Sequence, residues 1–244
     1  MLSAQLLALG MGGGSQAKRP PVRPIASAAS AKIEVERKFA AGDPAELSRV
    51  VTANGGTVLG EKRFHDQYWD TPQCDLTRRD TWLRRRDQQW ELKLPVEEAA
   101  KRSGGERSIF REVEGSAAVA EALAPLLPGW DGTVPVEPDA DLEPRLRALK
   151  LVPFAELGTV RSKYKIGQGS IDADIASFGH SVVEIEVMCS TQEEVPAAED
   201  EIGRIASLIG AKPLDGTTGG KLETYIRRFC PDVLAQLQEV GVLR

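Results

Sequence analysis

The chain has 244 residues, of which 41% are hydrophobic and 27% charged, so one sizeable domain with its own core is within reach. A net charge of -5 excludes a protein that holds nucleic acid by bulk charge. Cys74, Cys189 and Cys230 are widely spaced and form no CxxC pair, and no run approaches the roughly 18 apolar residues that span a bilayer. We therefore expect a reducing compartment, a monomer, and no nucleic-acid or membrane partner.

Residues 1–32 contain no Asp or Glu and carry Lys18, Arg19, Arg23 and Lys32 among Ala, Ser, Gly and Pro. Such a leader resembles an organellar transit peptide, and a plain unfolded extension is the other reading. The protein is thus expected in the cytoplasm, or in a mitochondrion or chloroplast if the leader is a targeting signal. Residues 1–31 are set apart from a folded domain over residues 32–244.

Residues 31–39 read as a strand, because Ile33, Val35 and Phe39 alternate with Glu34, Glu36 and Lys38. A helix is expected next. Asp43 can cap it, Pro44 suits its first position, Glu46 completes a capping-box pattern, and Asn54-Gly55-Gly56 ends it. Short strands follow at residues 64–69, 81–86, 89–94, 108–114, 159–166, 170–175 and 181–188, many separated by Gly-, Asp- or Pro-containing turns. A charged loop is expected at residues 97–107. Helices are expected at residues 116–127, 142–149, 197–209 and 232–240. The pattern is α+β, dominated by antiparallel strands.

The charges keep register within these strands. Arg84 and Arg86 share a face with Trp82. Glu91 and Lys93 share another, as do Arg161, Lys163 and Lys165, then Asp172 and Asp174, then Glu184 and Glu186. Any one such face is explained by the wet side of a half-buried strand. The set is less easily explained, because acidic and basic strands segregate, whereas a solvated sheet gains from opposite charges placed across from one another. Closed inward as a barrel, these faces would make a polar tunnel. A polyphosphate with a divalent metal fits it, since Arg and Lys donate to phosphate oxygens and carboxylates bind Mg²⁺.

The segment Glu34-Val35-Glu36-Arg37-Lys38 matches the ExExK signature of the CYTH superfamily, the triphosphate tunnel metalloenzymes. Trp82-Leu-Arg-Arg-Arg86, Trp90-Glu-Leu-Lys93, Ile171-Asp-Ala-Asp174, Val183-Glu-Ile-Glu186 and Lys221-Leu-Glu-Thr-Tyr-Ile-Arg-Arg-Phe229 follow in the order found in its animal-type thiamine triphosphatases. The resemblance implies an eight-stranded antiparallel β-barrel with surrounding helices. It implies hydrolysis of thiamine triphosphate to the diphosphate and phosphate with Mg²⁺, or Mn²⁺ in its place. Carried over, Glu34, Glu36 and Lys38 are catalytic. Glu34 and Glu36 bind the metal, with Asp172, Glu184 and Glu186 as an acidic group on the opposite wall. Lys38, Arg84, Arg86, Lys93, Arg161 and Lys221 bind the triphosphate. Trp82 stacks on the organic cation, or is simply a core residue at the barrel rim. Asp174 and Glu112 orient basic residues, Asp174 being counted with the substrate site.

Other readings remain open at this point. They are an inorganic triphosphatase with the same metal site, a cyclase acting on ATP, and a non-catalytic polyphosphate binder. His65 and His180 lack metal-ligand spacing and read as surface or supporting residues. Gly12-Gly13-Gly14 lacks the context of a P-loop. The stretch 216–220 reads as a flexible loop that lets Lys221 reach the tunnel mouth.

Overall fold

The computed structural model describes residues 32–96, 106–215 and 219–243. The leader 1–31, most of the 97–107 loop and residues 216–218 lie outside the described residues.

Eight strands form one closed barrel: β1 (Ile33–Ala40), β2 (Thr57–Asp70), β3 (Trp82–Arg86), β4 (Gln89–Pro95), β5 (Arg107–Glu114), β6 (Val152–Ile166), β7 (Gly169–Ala176) and β8 (Ser181–Cys189). They run in the order β1-β5-β4-β3-β2-β6-β7-β8 and every pair is antiparallel. Closure leaves no sheet edge unpaired. Among the described residues six α-helices surround it: α1 (Pro44–Ala53), α2 (Ser116–Leu123), α3 (Glu143–Ala148), α4 (Val195–Ile209), α5 (Lys221–Phe229) and α6 (Pro231–Glu239).

The alternation seen in sequence sorts the two barrel faces. Outward residues make the hydrophobic core with the helices. Val35, Ile171 and Ile185 pack with Val51 of α1 and with Ile202 and Ile205 of α4. Trp69, Trp90 and Leu92 pack with Leu123 of α2 and Leu146 of α3. Helix α4 sits close enough to β7 that a Cβ on Gly169 would meet Ile205 Cδ1 at 2.3 Å, so a larger residue there would have to displace the Ile205 side chain. Most of the core therefore lies outside the barrel, and the inward face is polar through its middle, with apolar residues at one end.

Three expectations need correction. Strands β2 and β6 are longer than their sequence signals. The first half of β2 is exposed, so it carries no burial alternation to read, and bulges at Val58/Gly60 and Tyr68/Trp69 shift its phase. Asp43 does cap α1, accepting from the Ala45 N–H at 3.0 Å, but Glu46 does not close a capping box. It pairs with Arg49 instead, at 2.6 and 2.9 Å. Lys221 opens a helix not expected from the sequence, α5, while residues 216–218 of the expected loop lie outside the described residues.

Candidate active site

Antiparallel closure puts the end of β1, the start of β3 and the start of β8 at one mouth. It puts the start of β1, the end of β3 and the end of β8 at the other. Inward positions along the strands then stack into a passage of about 300 Å³. Its first mouth is aromatic and apolar, with Tyr68, Trp82, Phe110, Leu222 and Leu243. Its middle is charged.

Three carboxylates converge on one wall. Glu36 lies directly opposite Glu186 across the β1–β8 ladder, and Glu34 is two residues along. One oxygen from each of Glu34, Glu36 and Glu186 falls within 4.8 Å of the others. The expectation of an opposite wall is thus wrong for both Glu184 and Glu186, because they lie on β8, the hydrogen-bonded neighbour of β1, with Glu184 opposite Lys38. Asp172 and Glu184 stand apart from the cluster and are held by cations. Lys163 Nζ lies 3.2 Å from Asp172, and Lys221 Nζ lies 3.1 Å from Glu184.

Each basic side chain has an acidic partner. Lys38 pairs with Glu36 and donates to Ser108 Oγ at 3.1 Å. Lys93 pairs with Glu34 and lies 3.9 Å from Glu112. Arg84 donates to Glu91 at 2.8 Å and lies 3.5 Å from Glu112. Arg86 donates to both oxygens of Asp66, at 2.8 and 3.0 Å. Arg161 donates twice to Asp174 at 2.7 Å, reaches Glu184 at 3.1 Å and pairs with Asp172. Lys221 pairs with Asp174. The segregation of signs that argued against ordinary pairing is thus resolved by topology. Basic β6 lies beside acidic β7, with Arg161 opposite Asp174 and Lys163 opposite Asp172.

These surroundings set the charge states. Burial pushes the Glu34 carboxyl up, but Lys93, Arg84 and Lys38 outweigh it and hold it below the ordinary carboxylate range. Burial likewise opposes ionisation of Glu184, which Lys221 and Arg161 overcome by a wide margin. Glu36 is raised, first by burial and then by Glu184 and Glu34. Glu186 is raised well above its ordinary value by burial, then by Glu34, Asp172 and Glu36. The cluster thus carries more carboxylate than its neighbours neutralise. Lys221 and Lys93 are pushed up, because their acidic neighbours outweigh burial.

Glu34, Glu36, Lys38, Trp82, Arg84, Arg86, Lys93, Arg161, Glu184, Glu186 and Lys221 all line the one passage. Asp172 and Asp174 do not line it. They are buried behind it and hold Arg161, Lys163 and Lys221. Trp82 lines the passage, and it also packs with Phe110, Ile226 and Leu243 while its Nε1 donates to Asp80 at 2.8 Å. Lys221 is buried because Gly220 lets α5 start against β1. A Cβ on Gly220 would meet Lys38 Cε at 2.6 Å. His180 is not a surface residue. It is buried and stacks on Phe178, with centroids 5.9 Å apart.

Sequence reasoning missed Asp66, Tyr68 and Phe64. The signal was present, since these are the alternate residues of a strand already identified. Asp66 is fully buried and held below its ordinary value, because Arg84 and Arg86 outweigh burial. Phe64 lies beneath two guanidinium groups, with Arg86 at 4.1 Å and Arg161 at 5.3 Å from its ring centre.

A closed barrel with an ion-paired interior and a helix-covered apolar exterior defines a tunnel protein for a highly charged ligand. The chain belongs to the CYTH domain family, whose model matches residues 32–220. It is 36% identical over 219 residues to a thiamine-triphosphatase of Macaca fascicularis, covering 86% of this chain and 90% of that one. It is 35% identical over 222 residues to the thiamine-triphosphatase of Homo sapiens, covering 87% and 92%. Among solved structures, a Pyrococcus horikoshii protein shares the fold with a TM-score of 0.56 at 19% identity, covering 80% of this chain and 99% of that one. A Vibrio parahaemolyticus protein shares it at 0.54 and 15%, covering 75% and 91%.

Proposed function

We propose that this protein is a Mg²⁺-dependent hydrolase that converts thiamine triphosphate to thiamine diphosphate and phosphate. One observation carries the reading. The Glu34/Glu36/Glu186 cluster lies in the same passage as seven cationic side chains, behind an aromatic mouth. The thiamine-triphosphatase relatives supply the organic group.

The cluster fits a divalent metal by its chemistry. Its donors are all carboxylate oxygens, which suit Mg²⁺ or Mn²⁺ better than zinc. Glu186 is driven toward its neutral form first by burial and then by Glu34, Asp172 and Glu36, whose repulsion a cation would relieve. When bound, the metal would draw charge from the terminal phosphoryl group. The remaining work falls to the chain. Lys38, Arg84, Arg86, Lys93, Arg161 and Lys221 hold the phosphate oxygens and neutralise their charge. Trp82 offers its face to the thiazolium ring. Asp172, Asp174 and Glu184 keep the cations aimed, so the rate comes from positioning and electrostatics. The folded unit is residues 32–244 acting as a monomer. Residues 1–31 are a targeting extension to a mitochondrion or chloroplast, or an extension without a targeting role, in which case the enzyme is cytoplasmic.

The phosphate-binding residues make no demand on the organic group, so inorganic triphosphate is the second substrate to test. A phosphate-release panel with thiamine triphosphate, tripolyphosphate and ATP, under Mg²⁺, Mn²⁺ and EDTA, decides the matter. We expect thiamine triphosphate to be preferred, and EDTA or Glu36→Ala to abolish turnover. Binding without turnover under every metal would instead mark a polyphosphate-binding protein, and full activity of Glu36→Ala would reject the metal site.

A further inference from the structure

The passage does not end at the carboxylate cluster. At the far mouth the barrel opens into a second cavity of about 450 Å³. The two cavities share Arg86, Glu91, Arg161 and Lys163 in their walls, so they adjoin one another at this end of the barrel. The mouths differ in kind. The near one is lined by Tyr68, Trp82, Phe110, Leu222 and Leu243. The far one is lined by Lys62, Arg63, Phe64, Arg86, Arg161 and Lys163, with Asp87 and Glu91 as its acids. Five cations and two acids line this opening, and Arg63, Arg86, Arg161 and Lys163 have their acidic partners, Glu61, Asp66, Asp174 and Asp172, outside that lining.

We propose that the far mouth is an orthophosphate site that receives the released terminal phosphate, so that the two products leave by opposite ends. This rests on the hydrolase reading above. If the organic group sits at the aromatic mouth, the terminal phosphoryl group is the part that reaches furthest in. The phosphate cut from it lies between thiamine diphosphate and the far opening. Leaving by the near mouth would require the diphosphate to go first. Leaving by the far mouth requires only a handover between cations, from Arg86 and Arg161 inside to Lys62 and Arg63 at the rim. Lys62 lies directly opposite Arg161 in the β2–β6 ladder, so it stands on the inward face, and it is exposed. Arg63, also exposed, is paired with Glu61 at 3.0 Å only at the surface. Phosphate is a good match for such a set, because guanidinium and ammonium groups both donate to its oxygens.

The rim is built rather than slack. The turn that joins β3 to β4 takes a left-handed conformation at Asp87, with φ 52°, tolerable for Asp. It is tied to β2 at both ends of that residue. The Asp87 N–H donates to the His65 carbonyl at 2.8 Å, and the Asp87 carboxylate accepts from the His65 N–H at 2.9 Å. The Phe64 ring, held under Arg86 and Arg161, keeps those two guanidinium groups at the boundary of the two cavities.

The test is binding of inorganic phosphate to the full chain with Mg²⁺, by calorimetry, with and without saturating thiamine diphosphate. The expected result is that phosphate binds in both cases. Lys62→Glu with Arg63→Glu should weaken it about tenfold or more, an effect that shrinks as salt is raised. The double variant should keep the wild-type melting temperature, since both residues are exposed. Phosphate excluded by thiamine diphosphate, phosphate that fails to bind, or affinity unchanged in the double variant would each overturn the proposal. The hydrolase reading stands or falls separately, on the phosphate-release panel with the unaltered chain.

Discussion

Asp174 is the sharpest point at which to perturb the tunnel wall. Its side chain is shielded from solvent and accepts from Arg161 Nε and Nη2, both at 2.7 Å, and from Lys221 Nζ. Asp174→Asn keeps the shape, removes the charge and turns an amide donor toward two cations. Breaking a buried pair by removing one partner costs about 3–5 kcal/mol. Two features place this case at the lower end. Arg161 retains Asp172 and Glu184, and Lys221 retains Glu184. Both cations also border the passage, where water can reach them. We therefore expect a loss of about 3 kcal/mol, which for a chain of this length lowers Tm by about 6–12 °C. Urea unfolding followed by circular dichroism measures it, with an unchanged slope showing that the unfolded state is not the cause. Glu46→Ala, which removes the exposed partner of Arg49, is the control and should leave Tm unchanged. A loss for Asp174→Asn no larger than the control's would refute the claim that buried charge pairing holds this wall together.

Gly220→Ala should spare the fold and damage the site. The new methyl would lie 2.6 Å from Lys38 Cε, the movable end of a flexible side chain, so Lys38 would shift away from Glu36. We expect kcat to fall about tenfold or more with little change in Tm, and an unchanged kcat would remove Lys38 from the catalytic set. Trp82→Phe should raise KM for thiamine triphosphate and leave that for tripolyphosphate alone; equal effects on both would reduce Trp82 to a packing residue. The metal-free protein should also show an unusual pH profile. Glu36, Glu112 and Glu186 are raised above their ordinary value of 4.5, so the folded state binds the extra protons and stability falls as pH rises above that value. Glu34, Glu184 and Asp66 are lowered, so their contribution is present above their ordinary values and is lost as pH falls. In EDTA the urea midpoint should therefore peak in mildly acid solution, and Mg²⁺ should move the peak toward neutrality. A midpoint that climbs steadily to neutral pH in EDTA would contradict this.

Much of the site was legible because a strand has only two faces. Once Glu34, Glu36 and Lys38 share a face, or Arg84 and Arg86 do, no tertiary knowledge is needed to group them. What alternation cannot supply is adjacency between strands distant in the chain. Glu186 stands beside Glu36 only because closure pairs β1 with β8, and the reading of an opposite wall failed for that reason. Lys221 shows a different limit. Helix α5 begins at Lys221 with Gly220 as its N-cap and no capping side chain, so its start signal is weak, and the 216–220 stretch reads as a loop. Asp66 was missed through incomplete use of a rule already in hand, since it and Tyr68 follow Phe64 at a spacing of two.

The pairing of charges inside the tunnel bears on how it loads. Lys38 and Lys93 are held by Glu36 and Glu34, two of the three carboxylates in the metal cluster. Each ammonium can turn fully toward phosphate only when its carboxylate is engaged elsewhere or neutral. Anything that neutralises the cluster should therefore free both lysines, and affinity for cation and for triphosphate should rise together, as linkage requires. Glu34→Gln tests this without a metal. The substitution releases Lys93 and lowers the negative charge of the cluster by one. In EDTA it should bind tripolyphosphate more tightly than the unaltered chain, while losing hydrolysis when Mg²⁺ is restored. Weaker binding in EDTA would show that Glu34 orients Lys93 toward the ligand rather than competing with the ligand for it.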